Sequence, residues 1–172
     1  KVDEETLIPY RFRTNVSRAN IKGLEAMVEV DLWKLFLRDT SQFALRTFVN
    51  GSYIDARYTS SENDFFEDKK VEFVPPVNVK TGFTFSYKDF SLSYQFTYVH
   101  EHFSDASNTG KDSNGDMVYT SNAIVGLIPS YKIMDLSLKY DYKQLRIETG
   151  VNNFLNESYF TRRAVGFPGP GI

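Results

Sequence analysis

Apolar and polar residues alternate along most of this chain, so its dominant hydrophobic period is two. From Gly23 to Trp33 the even positions are Leu24, Ala26, Val28, Val30 and Leu32, with Glu25, Glu29 and Asp31 between them. Phe43, Leu45, Thr47, Val49 and Tyr53 share a parity opposite Arg46, Asn50 and Ser52. Val79, Thr81, Phe83, Phe85 and Tyr87 alternate with Lys80, Gly82, Thr84 and Ser86. Phe90, Leu92, Tyr94, Phe96 and Tyr98 then oppose Ser91, Ser93, Gln95 and Thr97. Met134, Leu136, Leu138, Tyr140 and Tyr142 oppose Asp135, Ser137, Lys139 and Asp141; Leu145, Ile147, Thr149 and Val151 oppose Arg146, Glu148, Gly150 and Asn152. Residues Arg11 to Arg18 form a weaker, more polar candidate strand. At helical spacing these segments would scatter their charges around the whole circumference, so no amphipathic helix is expected. The pattern predicts an all-β chain.

The connections alternate in length. Lys88-Asp89 joins the strands around 79–87 and 90–100, and Lys143-Gln144 joins those around 132–142 and 145–152. A short link near Arg38, Asp39 and Thr40 joins the strands around 23–36 and 43–58. Long polar loops lie between these hairpins, near Thr59–Lys70 and Ser104–Asn122, the second rich in Ser, Asn, Asp and Gly. In an antiparallel meander of about 7–8 strands, this order puts tight turns at one end and long loops at the other. Outer-membrane barrels have that asymmetry, with short periplasmic turns and longer extracellular loops.

Composition narrows the field. The 172 residues fit one ordinary domain. Twenty Lys and Arg against 22 Asp and Glu leave no basic excess, so nucleic acid is not an expected partner. With Cys at 0, disulfides, thiolate metal sites and cysteine nucleophiles are excluded. No run of 18 apolar residues exists, which removes a transmembrane helix but not a membrane strand, whose alternation averages out. The chain opens at Lys1 without Met or a secretory-signal pattern, so a processed product or a fragment is expected.

Alternation by itself fits any half-buried antiparallel sheet, including a soluble sandwich or a soluble ligand-binding barrel. Three features favour a membrane barrel. Several alternating runs reach the roughly 9–11 residues that a tilted strand needs to cross a bilayer. The polar parity carries Glu25, Glu29, Arg46, Lys80, Asp135, Lys139, Arg146 and Glu148, whose opposite signs suit a hydrated lumen. Tyr87, Phe90, Tyr98, Tyr140 and Tyr142 fall near strand ends on the apolar parity, as interfacial aromatic girdles do.

Two passages carry a family resemblance. Asn15 to Glu25 (NVSRANIKGLE), followed by a long alternating strand and Asn50 to Ala56, resembles the opening of this part of TonB-dependent receptor barrels. Gly150, Val151, Asn152, Asn153, Phe154, Leu155, Asn156 and Tyr159 look like the Gly-Val…Asn…Tyr signature that precedes the last barrel strand. Pro75-Pro76, and Ile128 to Tyr131 with Asp135, match the family's re-entry into the barrel. Tyr159 to Arg163 and Phe167 to Ile172 are most similar to the branch containing ferric-dicitrate receptors.

The resemblance implies that residues 1–172 are a C-terminal portion of a 22-stranded transmembrane barrel. It implies an outer-membrane receptor of a Gram-negative bacterium, importing a ferric siderophore or ferric dicitrate with energy delivered through TonB. Neither a plug, nor a TonB box, nor the final strand is recognised in the chain, so its share would be part of the barrel wall. Open strand edges would then invite self-association. Phe83, Phe85, Leu92, Tyr94, Phe96, Leu136 and Leu138 are expected to face lipid. The competing readings are a soluble or small β-barrel binding a hydrophobic ligand, and a passive porin-like barrel.

Candidate chemistry is sparse. His100 and His102 share a parity and could ligate a metal, although a rim position is the plainer reading, and no metal or other cofactor is expected. Asp105, Asp112, Asn114 and Asp116 resemble a calcium loop only loosely, because the distal bidentate Glu is missing. Arg162 and Arg163, in an expected extracellular loop, could meet an anionic ferric chelate or simply face solvent or lipopolysaccharide. No catalytic constellation stands out, so an enzyme is not expected.

Overall fold

The computed structural model describes residues 18–37, 42–60, 66–110, 114, 116, 118, 119 and 126–160. Its elements run β1 (Arg18–Asp31), α1 (Leu32–Leu37), β2 (Phe43–Ser60), β3 (Val77–Tyr87), β4 (Phe90–Val99), β5 (His102–Phe103), β6 (Leu127–Ile128), β7 (Tyr131–Tyr142) and β8 (Leu145–Val151). Six strands form one antiparallel sheet in the order β1-β2-β3-β4-β7-β8, and β5 pairs with β6 in a separate ribbon. The candidate strand from Arg11, the link at Arg38 to Thr40, Asp112, and Arg162 and Arg163 lie outside the described residues, apart from Arg18 where β1 begins.

The register carries the alternation across the whole sheet. Val30 pairs with Thr47, Thr47 with Phe83, Phe83 with Tyr94, Tyr94 with Leu136 and Leu136 with Val151. Because directly opposed residues project to the same side of the sheet, this row defines one apolar face. Phe85, Leu92 and Leu138 form the next row on it. The opposite face carries Arg46, Thr84, Ser93, Ser137 and Gly150 in a parallel row. A one-residue slip in any pair would put aromatic side chains among these polar ones, which is what holds the register.

The short turns confirm the hairpin reading: Tyr87 pairs with Phe90 and Tyr142 with Leu145. Lys88 and Lys143 close them in the left-handed region, with φ of 50° and 54°.

One expected strand is shorter than its pattern implied. The alternating run to residue 36 ends at Asp31, and Leu32–Leu37 is helical. Asp31 is the N-cap: its carboxylate accepts the Lys34 backbone N–H at 3.1 Å, three residues along. The segment LWKLFL also loses strict alternation, and Leu, Lys and Trp tolerate helix readily. Among the described residues no helix is long and apolar enough to cross a membrane.

Buried side chains are few and gathered at one end. Ala56, Tyr58, Val99, Leu127 and Ile128 are the buried apolar residues described. The first three come from the polar face, near the long loops. No second layer covers the apolar face of the sheet among the described residues: Leu24 is 73% exposed and Val49 52%. A soluble sandwich would bury that face.

Candidate functional site

Two regions carry the polar chemistry: the polar face of the sheet and the loops at its far end. Near the short turns, the face holds a charged ladder. Arg146 meets Asp141 at 2.6 Å across β7 and β8, Lys139 meets Asp141 at 3.2 Å, and Glu148 lies 3.9 Å from Arg146. Arg46 reaches Asp31 at 4.0 Å, and Asn50 donates to Glu25 at 3.5 Å. At the same levels, Thr84 bonds Ser93 at 3.0 Å and Ser86 bonds Ser91 at 3.1 Å. These cross-strand pairs match partners by charge and hydrogen-bonding capacity on a wet surface.

A cleft of about 600 Å³ opens on this face between Lys80, Gln95, Thr97, Asp135, Asn153 and Tyr159. Its floor is built by the segment after β8. Asn153, at φ 51°, exchanges two hydrogen bonds with Glu157: its Nδ2 donates to the Glu157 carbonyl at 2.9 Å and its Oδ1 accepts the Glu157 N–H at 3.0 Å. Its own N–H donates to Asp135 at 2.7 Å. Asn tolerates the left-handed region and can bond its neighbours' backbone there. The turn brings Tyr159 onto Tyr131, with ring centroids 4.7 Å apart. The residues that carried the resemblance near the C-terminal end thus have a structural task.

The loops at the far end fold over the upper polar face. Residues 66–73 turn back on β2, where the Val71 N–H donates to the Ala56 carbonyl at 3.0 Å and the Tyr58 hydroxyl to Glu72 at 2.5 Å. Asn108, at φ 52°, joins this loop to the next. Its amide accepts from Lys70 N–H at 2.6 Å and donates to Lys70 carbonyl at 2.7 Å, imitating a backbone bridge. Asp105 clamps the base of the long loop. One oxygen accepts from the Ser107 hydroxyl, the Thr109 hydroxyl and the Thr109 N–H, and the other accepts from Gly126 N–H at 3.0 Å. Burial alone would raise the Asp105 carboxyl pKa, but these donors favour its charged form and hold it below the ordinary value.

The long polar loop is therefore pinned by hydrogen bonds at its two ends, at Asp105 to Thr109 and at Gly126. Asp105 serves as a hydrogen-bond hub at the base of this loop. Asn114 and Asp116 belong to the same loop but are not among its partners.

The two histidines stand in different surroundings. β4 ends at Val99, so His100 sits beyond the strand beside Tyr98, with ring centroids 6.2 Å apart. Its Nδ1 is buried without a hydrogen-bond partner among the described residues. His102 starts β5, is buried, packs edge-on to Phe73 and bonds the His100 carbonyl through Nδ1 at 3.0 Å. Burial lowers its pKa, and the bond to His100 opposes that only in part. Among the described residues no group of three or more His, Asp or Glu could hold a metal ion.

The register places Phe83, Phe85, Leu92, Tyr94, Phe96, Leu136 and Leu138 together on the apolar face. Aromatics border that face at the short-turn end. Trp33 stacks on Phe43 at 5.0 Å and Phe43 on Tyr87 at 4.3 Å, while Tyr140 lies 6.4 Å from Tyr142. The sequence did not single out Asn108 or Trp33, whose contacts join segments far apart in the chain.

Comparison with known proteins fits this geometry. The family model described as TonB dependent receptor-like, beta-barrel, matches residues 3–154. No curated protein sequence matches the chain. Among solved structures, the ferric citrate transporter FecA in its unliganded form is 20% identical with a TM-score of 0.68, over 83% of this chain and 20% of that one. The ferric yersiniabactin uptake receptor FyuA from Yersinia pestis is 18% identical with a TM-score of 0.61, over 86% of this chain and 20% of FyuA. The copper transporter OprC is 18% identical with a TM-score of 0.60, over 92% of this chain and 22% of OprC. The chain thus spans about a fifth of the length of each of these proteins, and their likeness speaks for the fold. With the family model covering most of its residues, the chain belongs to the TonB-dependent receptor β-barrel family.

Proposed function

We propose that this chain is wall of an outer-membrane receptor that imports a ferric chelate, with energy delivered through TonB. The observation that carries the reading is the uncovered apolar face of a six-stranded sheet whose other face is mostly polar, with Met27, Phe48 and Ile133 as its mid-sheet apolar members. Lipid is the partner that such a face fits. A ten-residue strand such as β4 rises about 33 Å, or about 25 Å along the membrane normal at a tilt near 40°, the height of a barrel's apolar band. Phe83, Phe85, Leu92, Tyr94, Phe96, Leu136 and Leu138 contact acyl chains, and the polar face lines the lumen. The short turns face the periplasm and the folded loops face outward. The wall transports and does not catalyse.

Family membership and the ferric-chelate cargoes named for FecA and FyuA support iron as the transported metal; the OprC likeness makes copper the cargo to test against it. Arg162 and Arg163 supply guanidinium groups for the chelate's carboxylates.

The test is uptake of radiolabelled ferric citrate by cells with and without the intact gene, with a protonophore arm. Saturable uptake that disappears with the gene and with the protonophore supports the reading. Uptake that survives the protonophore and follows solute size would replace it with a passive pore. In the intact protein, R162A/R163A is expected to weaken ferric citrate binding about tenfold, as loss of charge-assisted bonds worth about 1.5 kcal/mol implies.

A further inference from the structure

We propose that α1 is an interfacial anchor, lying in the plane of the leaflet that borders the short turns with Leu35 and Phe36 at the headgroup–acyl boundary. The proposal rests on the reading that the apolar face of the sheet contacts lipid, and extends that contact beyond the strands to a helix.

Five of the six residues in LWKLFL are apolar, and the helix is about 9 Å long, far too short to span. Leu35 is 61% exposed and Phe36 74%, so the sheet covers neither. An apolar helix whose Leu35 and Phe36 are left uncovered by the described residues fits an apolar environment on that side.

Trp33 shows which environment is continuous with it. Its ring stacks on Phe43, and Phe43 stacks on Tyr87, so α1 is joined to the outermost aromatic row of the apolar face. Phe43 pairs with Tyr87 and Tyr87 with Phe90 in the register, which fixes that row at the short-turn end. Phe36 follows Trp33 by three residues and so lies on the same side of the helix.

The charges at this level agree. Lys88 Nζ lies 5.3 Å from the Tyr87 ring centroid and Lys143 Nζ 5.3 Å from that of Tyr142. Both cations therefore stand beside the aromatic row, where lipid phosphates would meet them. Of the carboxylates at this level, Asp31 and Asp141 are on the polar face, engaged by Arg46, Lys34, Arg146 and Lys139, and Asp89 shares the turn with Lys88. A patch that is aromatic and cationic at its rim and apolar beyond fits an anionic lipid surface.

The test is a nitroxide placed at Phe36→Cys, and separately at Leu35→Cys, in the intact receptor in vesicles of phosphatidylethanolamine and phosphatidylglycerol. Collision rates with oxygen and with a water-soluble nickel chelate report depth, and Phe96→Cys serves as the mid-membrane reference. Nickel collisions at Phe36 about threefold or more below those of free label, with oxygen collisions between bulk water and Phe96, are expected for a residue at the acyl boundary. Full nickel access at Phe36 with Phe96 in lipid overturns the anchor and leaves the wall reading standing. Full nickel access at both positions removes the wall reading as well. An immobilised label shielded from both reagents would put α1 against protein and also overturn the anchor.

Discussion

At the scale of single residues, the loops are held by side chains that replace backbone partners. Asp105 and His102 are the titratable members of this clamp, and both favour alkaline over acidic conditions. His102 has a folded pKa below its ordinary 6.5, so as pH falls through that value the unfolded segment takes up the proton first and stability drops. Asp105 is held below its ordinary 3.8, so its contribution is present above that value and lost as pH falls towards the depressed folded one. The loop base should therefore loosen in two stages, one that begins as pH falls below 6.5 and one that begins below 3.8. Hydrogen-exchange protection of the Ser104 and Gly126 amides, corrected for intrinsic rates, reads this directly. Asp105→Ala should lower local protection by about 2 kcal/mol and erase the second stage while keeping the first. Protection of the same amides that is independent of pH would contradict the assignment.

At the scale of elements, close strand approach sets the tolerances. Gly82 lies on the polar face beneath Phe48, and a Cβ there would sit 2.4 Å from the Tyr94 carbonyl oxygen and 2.9 Å from the Phe48 ring. Gly51 has nothing within 4 Å of the same position. Gly82→Val should cost about 1–3 kcal/mol by forcing β3 from β4, whereas Gly51→Ala should be neutral or gain about 0.5 kcal/mol of chain entropy. The temperature at which the folded protein loses its faster electrophoretic migration orders the two variants, and a Gly82→Val protein as stable as Gly51→Ala would refute the packing argument. This contrast also marks what the sequence could convey. Alternation is local, so the faces of β3, β4 and β7 were legible from parity, and Lys88-Asp89 and Lys143-Gln144 were legible from chain length between strands. The helix at Leu32–Leu37 had a signal, Asp31 before a run without alternation, but the preceding parity continued into Leu32 and masked it. The clamp at Asp105 and Asn108 joins residues 21 and 38 positions apart, which no periodicity encodes.

At the scale of the whole molecule, the described strands form an arc of wall with β1 and β8 at its two sides. β1 and β8 each pair with one neighbour among the described strands, so each presents a row of backbone donors and acceptors. Water can satisfy those groups, but hydrocarbon cannot, at a cost of several kcal/mol for each unsatisfied group. The same strands carry the apolar face, with Leu24, Val28, Leu145 and Ile147 exposed, so removing the edges from lipid into water would expose that face instead. The conflict is resolved only when both edges are paired, either by further strands of a longer receptor or by other copies. The 172-residue chain expressed alone and folded into detergent should therefore assemble through its edges. Light scattering corrected for detergent is expected to give a mass that rises with protein concentration from the 19.8 kDa of one chain. Cross-links from Cys placed at Leu24 and Ile147 should join different copies, since β1 and β8 stand at opposite sides of one sheet. A monomer that keeps its strand content in detergent at all concentrations, with no intermolecular cross-link, would show that this arc closes its own edges and that the open sheet is not its form in lipid.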